Sequence, residues 1–145
     1  MDTYSGKYYP KEVAVIIQWS AKCNNGKIYH VMRNWQNKNS EIQAPKKAFK
    51  FNALDGEKCE DLTGYSFNAV TPFLFNKEIP VLISKEIAEL SPRCFWMGGG
   101  NADTKMRIGF EEFVEKSEYD VIVGDVSDPR LEFENGSQEE ISSDK

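Results

Sequence analysis

The chain has 145 residues, 40% hydrophobic and 12% aromatic, with a formal net charge of −5. That length favours a single domain with one core, and the composition is too apolar for a disordered chain. No apolar run approaches the roughly 18 residues a membrane span needs, and the opening MDTYSGKYYPKE holds no apolar stretch of the secretory kind.

In chain order, Val13 to Trp19 (VAVIIQW) is β-branched and apolar on both faces, which predicts a buried strand. Asn24 or Asn25 can cap the helix that follows, in which Ile28, Val31, Met32 and Trp35 fall at i, i+3, i+4 and i+7. The only histidine, His30, lies off this stripe and reads as a surface residue. A polar loop, NKNSEIQAP, leads to a short predicted strand at Ala48 to Asn52, with Phe49 and Phe51 on one face and Lys50 on the other. LDGEKCEDLTG reads as a short helix capped by Asp55 and closed by Gly64. After TGYSFNAVTPFLFNKEIP come a strand at Ile79 to Ile83 and a helical turn capped by Ser84. A strand at Arg93 to Met97 then runs into Gly98-Gly99-Gly100. A strand at Lys105 to Ile108, an amphipathic helix in FEEFVEKS and a last strand at Tyr119 to Val126 complete the pattern. About six strands with short helices at uneven spacing predict an α+β fold, a mixed sheet curled around a core, and no regular βαβ array.

The charge is unevenly spread. Residues 128–145 carry six acidic and two basic side chains and read as an acidic, disordered tail after a domain of residues 1–127. From Lys22 to Lys50 seven basic residues face one acid, Glu41. Local excess of this kind favours phosphate more than the total charge suggests, although a solvated helix face explains it as simply. Cys23, Cys59 and Cys94 form no metal-ligand spacing. They are read as reduced thiols of a cytoplasmic protein, with Cys94 in the core and no metal or cofactor.

Two loops can carry chemistry. Asn68-Ala69-Val70-Thr71-Pro72 has small residues that let a ligand approach the backbone, and its N–H groups could meet a carbonyl or developing oxyanion. A structural turn between core elements is the plainer alternative. Gly98 to Asp103 follows a strand as a phosphate loop would, but it lacks GxGxxG and any following Gly-Lys-Ser/Thr. Three glycines say more simply that a backbone or small ligand packs close. No nucleophile–base–orienter set is visible.

The order of these pieces resembles the YbaK/ProX family, the aminoacyl-tRNA deacylase domains associated with prolyl-tRNA synthetases. The matching pieces are Thr63-Gly64-Tyr65, the loop Asn68 to Pro72, Ile79-Pro80-Val81, Phe95 to Gly100 and Val121-Ile122-Val123, over roughly residues 12 to 126. Asn68 and Ala69 stand where that family usually carries glycine, and the chain is N-terminally short relative to it. The resemblance implies a mixed, barrel-like fold with short flanking helices and hydrolysis of the ester of a mischarged tRNA by a positioned water. It implies an aminoacyl site shaped by Asn68, Ala69, Thr71 and Pro72 and walled by Gly98, Gly99, Gly100 and Asp103. Lys22, Lys46, Lys47 and Lys50 would meet tRNA phosphates, and Lys105 the terminal adenosine. The implied partners are aminoacyl-tRNA and, secondarily, an aminoacyl-tRNA synthetase, with no membrane. The alternative is a non-catalytic tRNA- or synthetase-binding module of the same fold. A nucleotide-binding protein using the triple glycine is the weakest reading.

Overall fold

The structure, a computed structural model, describes residues 7–41, 44–66, 69–101 and 103–130. Its centre is a three-stranded parallel sheet in which β3 (Val81–Ser84) lies between β1 (Ala14–Ile16) and β6 (Val121–Gly124). Every residue of β3 is buried. A strand covered on both faces can be apolar at every position, which is why VLI shows no alternation. Val81 and Ile83 join Ile16, Phe95, Met97 and Phe113 in one cluster, while Leu82 joins Val15, Ile28, Met32 and Val126 in the other. Full burial of one such side chain contributes about 1.5–3 kcal/mol.

The second cluster is covered by α1 (Asn25–Asn39), whose cap is Asn24: its side chain accepts the Lys27 N–H at 3.1 Å. The buried line on this helix is Ile28, Met32 and Gln36, with Val31 and Trp35 half-buried beside it. The first cluster is covered by α4 (Phe110–Lys116) and by a hairpin of β4 (Cys94–Gly98) and β5 (Lys105–Gly109). The helices α2 (Gly56–Thr63), capped by Asp55, and α3 (Lys85–Ala88), capped by Ser84, stand where local sequence chemistry places them.

Three expectations are corrected. The strands do not form one curled sheet or barrel. Among the described residues they divide into the parallel sheet, the β4–β5 hairpin and a separate antiparallel pair. The hairpin meets the sheet through Phe95 and Met97, so side-chain packing joins the layers where a barrel would need ladder hydrogen bonds. Second, Ala48 to Asn52 is not a strand. A 3₁₀ turn at Lys46–Ala48 leads into extended chain with no ladder partner. Phe49 and Phe51 still lie near one another, with ring centroids 6.4 Å apart, packed against the α1 side of the core. Third, the chain after Val126 begins with a strand, β7 (Ser127–Pro129), paired to β2 (Ala21–Cys23). Arg130 extends the contact, donating its N–H to Ser20 O and its Nε–H to Ala21 O, each at 3.0 Å. Residues 128–130 thus belong to the domain, and the rest of the predicted tail lies outside the described residues. Cys59 is the buried thiol, and Cys94 is half-buried.

Candidate functional site

A cavity of about 610 Å³ opens between α1, the chain leading into β1, the 48–54 segment, α2 and the loop at 70–72. Its floor is apolar, with Ile28 and Met32 from α1 and Val15 from β1. The local chemistry that shapes it is legible. Gly64 ends α2 at φ +82°, and its N–H donates to Glu60 O at 2.8 Å. The chain then turns at Tyr65, whose hydroxyl donates to Phe73 O. The Phe75 N–H in turn donates to Tyr119 Oη at 2.6 Å, and the two rings stack at 5.3 Å. Burial pushes the Tyr119 phenol up from its usual value, so it stays protonated throughout the neutral range. Two tyrosines therefore anchor the chain just after the short run of Val70, Thr71 and Pro72, at Phe73 and Phe75.

Within that run Ala69, Val70, Thr71 and Pro72 are all buried. The Ala69 N–H is used in a turn to Ser66 O at 3.0 Å. The Thr71 hydroxyl lies 3.6 Å from Met97 Sδ, and the Thr71 carbonyl accepts from the Phe73 N–H. Among the described residues, the N–H groups of Val70 and Thr71 have no protein acceptor, and both residues line the cavity. Asn68 lies outside the described residues.

The glycine-rich turn stands apart. Gly98, Gly99, Gly100 and Asp103 are not among the residues lining the cavity. They close the β4–β5 hairpin, and the glycines have local reasons to be there. A Cβ on Gly99 would sit 2.5 Å from Thr104 Cγ2 across the turn. Gly100 takes φ +103° beside the Tyr65 ring. Close approach at Gly99 and a left-handed backbone at Gly100 thus account for two of the three glycines. The link to the cavity is indirect, through the contact of Thr71 with Met97.

The basic stretch divides as well. Lys27 turns inward, with Nζ 2.8 Å from Asp128 Oδ1 and 3.2 Å from Asp125 Oδ1. Arg33 donates to Ala44 O. Lys22, Lys46, Lys47 and Lys50 are exposed, and of these only Lys50 lines the cavity. Lys46 Nζ lies 5.5 Å from the centroid of Tyr29. Lys105 projects from the hairpin, away from this group of elements in sequence and fold.

Two residues that sequence periodicity passes over stand out. Gln36 continues the buried line of α1, is 5% exposed and lines the cavity. Its position four residues after Met32 was the available signal. Trp96 lies within a predicted strand yet is 69% exposed. Cys23 also lines the cavity, and burial of its sulfur raises the thiol above its ordinary value, the wrong direction for a nucleophile. Among the described residues no helix is long and apolar enough to cross a membrane.

No known family profile matches the chain, and no curated protein sequence matches it. Solved structures do. One is a scaffold protein from work on epitope backbone grafting by computational design, with a TM-score of 0.61 at 16% identity over 80% of this chain and 63% of that one. Another is the crystal structure of hypothetical protein APE2540, with a TM-score of 0.59 at 20% identity over 80% and 65% of the two chains. The chain spans less than two thirds of the length of either. At these identities the likeness is one of fold, a small α+β architecture that other sequences also adopt, and a fold does not carry a function with it.

Proposed function

We propose that the chain is a YbaK/ProX-type domain that edits mischarged aminoacyl-tRNA by hydrolysing its ester. The observation that carries this reading is the cavity lining, which gathers Val70, Thr71 and Lys50 around one space. Two N–H groups without protein acceptors suit a carbonyl oxygen that gains charge as water adds. A lysine at the rim suits the phosphodiester next to the esterified ribose. The step consumes one water: the carbonyl carbon gains the water oxygen, the bond to the ribose oxygen breaks, and free amino acid and tRNA hydroxyl leave. The raised Cys23 thiol is consistent with attack by water and not by the protein.

The test is deacylation of tRNA for proline charged with alanine or cysteine, at low salt. Ala48 is exposed and lines the cavity, so Ala48→Trp blocks the space without disturbing the core. The wild type should turn over repeatedly and Ala48→Trp should not. Hydrolysis unchanged in Ala48→Trp would move the chemistry out of this cavity. Saturable binding without hydrolysis would replace the enzyme with a binding module of the same fold.

A further inference from the structure

We propose that the outer face of the β4–β5 hairpin is a binding platform for single-stranded nucleic acid, with Trp96 as the stacking surface and Arg107 and Lys105 as the phosphate contacts. The register decides which side chains share that face. Trp96 pairs with Arg107, Gly98 with Lys105 and Cys94 with Gly109. The intervening pairs, Phe95 with Ile108 and Met97 with Met106, face the core cluster. Because side chains alternate along a strand, Trp96, Arg107 and Lys105 project together on the other side.

Glycine at both ends keeps this face low. Gly98 stands opposite Lys105, and Gly109 opposite Cys94, so no side chain from either glycine screens the indole. Trp96 is 69% exposed, and among the described residues no aromatic ring or cation covers it. Arg107 stands opposite Trp96 in the register, and its guanidinium is held on Cys94, with Nη2 3.1 Å and Nε 3.3 Å from Cys94 Sγ. Arg107 and Lys105 have no carboxylate partner among the described residues. Among the described residues none of the nearby acids forms an ion pair with them: Glu111 is paired with Arg93 at 2.6 Å, Glu112 reaches toward Gly109 at the far end of the face, and Asp103 lies in the hairpin turn, its N–H donating to Asn101 Oδ1 at 3.0 Å.

An open indole beside two unpaired cations matches the chemistry of an unstacked base and its flanking phosphates. A second copy of the chain fits less well. A twofold contact of this patch with itself would set Arg107 and Lys105 against their own copies. One indole and two long side chains also fall far short of the ~800 Å² per partner of a stable protein interface. The platform needs no ester hydrolysis, so it stands apart from the editing reading, although the unpaired 3′ end of a tRNA is a strand of this kind.

The test is titration of the full chain with ten-nucleotide oligo(U), oligo(dT) and an RNA duplex of the same length, read by quenching of tryptophan fluorescence and by anisotropy of labelled oligonucleotide. Both single strands should bind in preference to the duplex. Trp96→Ala should loosen binding roughly 5- to 150-fold, the equivalent of one stacked base. Arg107→Gln should reduce the slope of log affinity against log salt by about 0.7. Both changes lie on the outer face, and an unchanged thermal midpoint would show that the fold survives them. Equal affinity in Trp96→Ala, or no binding of either single strand at low salt, would overturn the proposal. So would sedimentation showing a dimer that Trp96→Ala dissociates. If oligonucleotide binding depends on Trp96 while mischarged tRNA is never hydrolysed, the editing reading fails and the platform stands. If Trp96→Ala edits and binds like the wild type, the platform fails and editing stands.

Discussion

At Gly64 the backbone takes φ +82°, and an added Cβ would come within 3.2 Å of Asn76 Oδ1. The left-handed conformation costs an L-residue roughly 1–2 kcal/mol. The Asn76 side chain, which donates to Asp61 O at 3.1 Å, would also have to move. Gly64→Ala should therefore lower unfolding stability by about 1–2 kcal/mol in urea titration, and Gly56→Ala, where nothing lies within 4 Å, serves as the control. Equal effects from the two would mean that the turn after α2 is not fixed by its dihedral angle. The role of Gly64 was readable from sequence, as were the caps Asp55 and Ser84 and, to within the pair Asn24-Asn25, the cap of α1, because each depends on chemistry within three or four residues. Gln36 and Trp96 were not, because their significance comes from what the rest of the chain does or does not place beside them.

Among the elements, the N-terminus of α1 and the strand β7 depend on one another. Asn24 accepts from Lys27 N–H and donates through Nδ2 to Asp128 Oδ2 at 2.7 Å, so one amide caps the helix and docks the strand. Asn24→Ala should cost about 1–2 kcal/mol. Asn24→Asp keeps a capping oxygen but loses the donor and faces the Asp128 carboxylate. It should fall below the wild type in thermal melting despite its good capping propensity, and a neutral result would separate cap from strand. The same contact sets an acid limit. The Lys27 ammonium, and after it the Asn24 amide, hold the Asp128 carboxyl below its ordinary value. A lowered carboxyl contributes stability that is present above the unfolded-state value and lost as pH falls through the folded one. Amide-exchange protection of the β2–β7 pair should thus persist at pH 4 and decline with further acidification. In Asp128→Asn that decline should be absent. The sequence hid β7 because a proline- and aspartate-bearing triplet has no strand pattern of its own; its partner, Ala21–Cys23, lies more than a hundred residues earlier.

For the whole molecule the helices and most of the strands were legible, and the way the strands combine was not. Strands of three to five residues carry little register information, and the parallel order β1–β3–β6 joins segments far apart in the chain. The same long-range folding redistributes the charge, and this yields a prediction. In sequence, Lys27 and Arg33 belong to the same basic stretch as Lys46 and Lys47. In the fold, Lys27 is neutralised by Asp125 and Asp128 and Arg33 is turned onto Ala44 O, whereas Lys46 and Lys47 are exposed beside the segment that lines the cavity. Each phosphate contact contributes about 0.7–0.9 to the salt slope of binding. If tRNA lies across this edge, Lys46→Ala with Lys47→Ala should weaken binding and reduce the slope by up to about 2. Lys116→Ala, at the end of α4 on the opposite side of the sheet, changes the net charge but removes no such contact and should leave the slope unchanged. Filter binding of tRNA between low and moderate salt measures both. A slope that falls equally in the two variants would mean that general attraction, and not this edge, holds the nucleic acid. A slope that falls in neither would place the tRNA elsewhere on the surface.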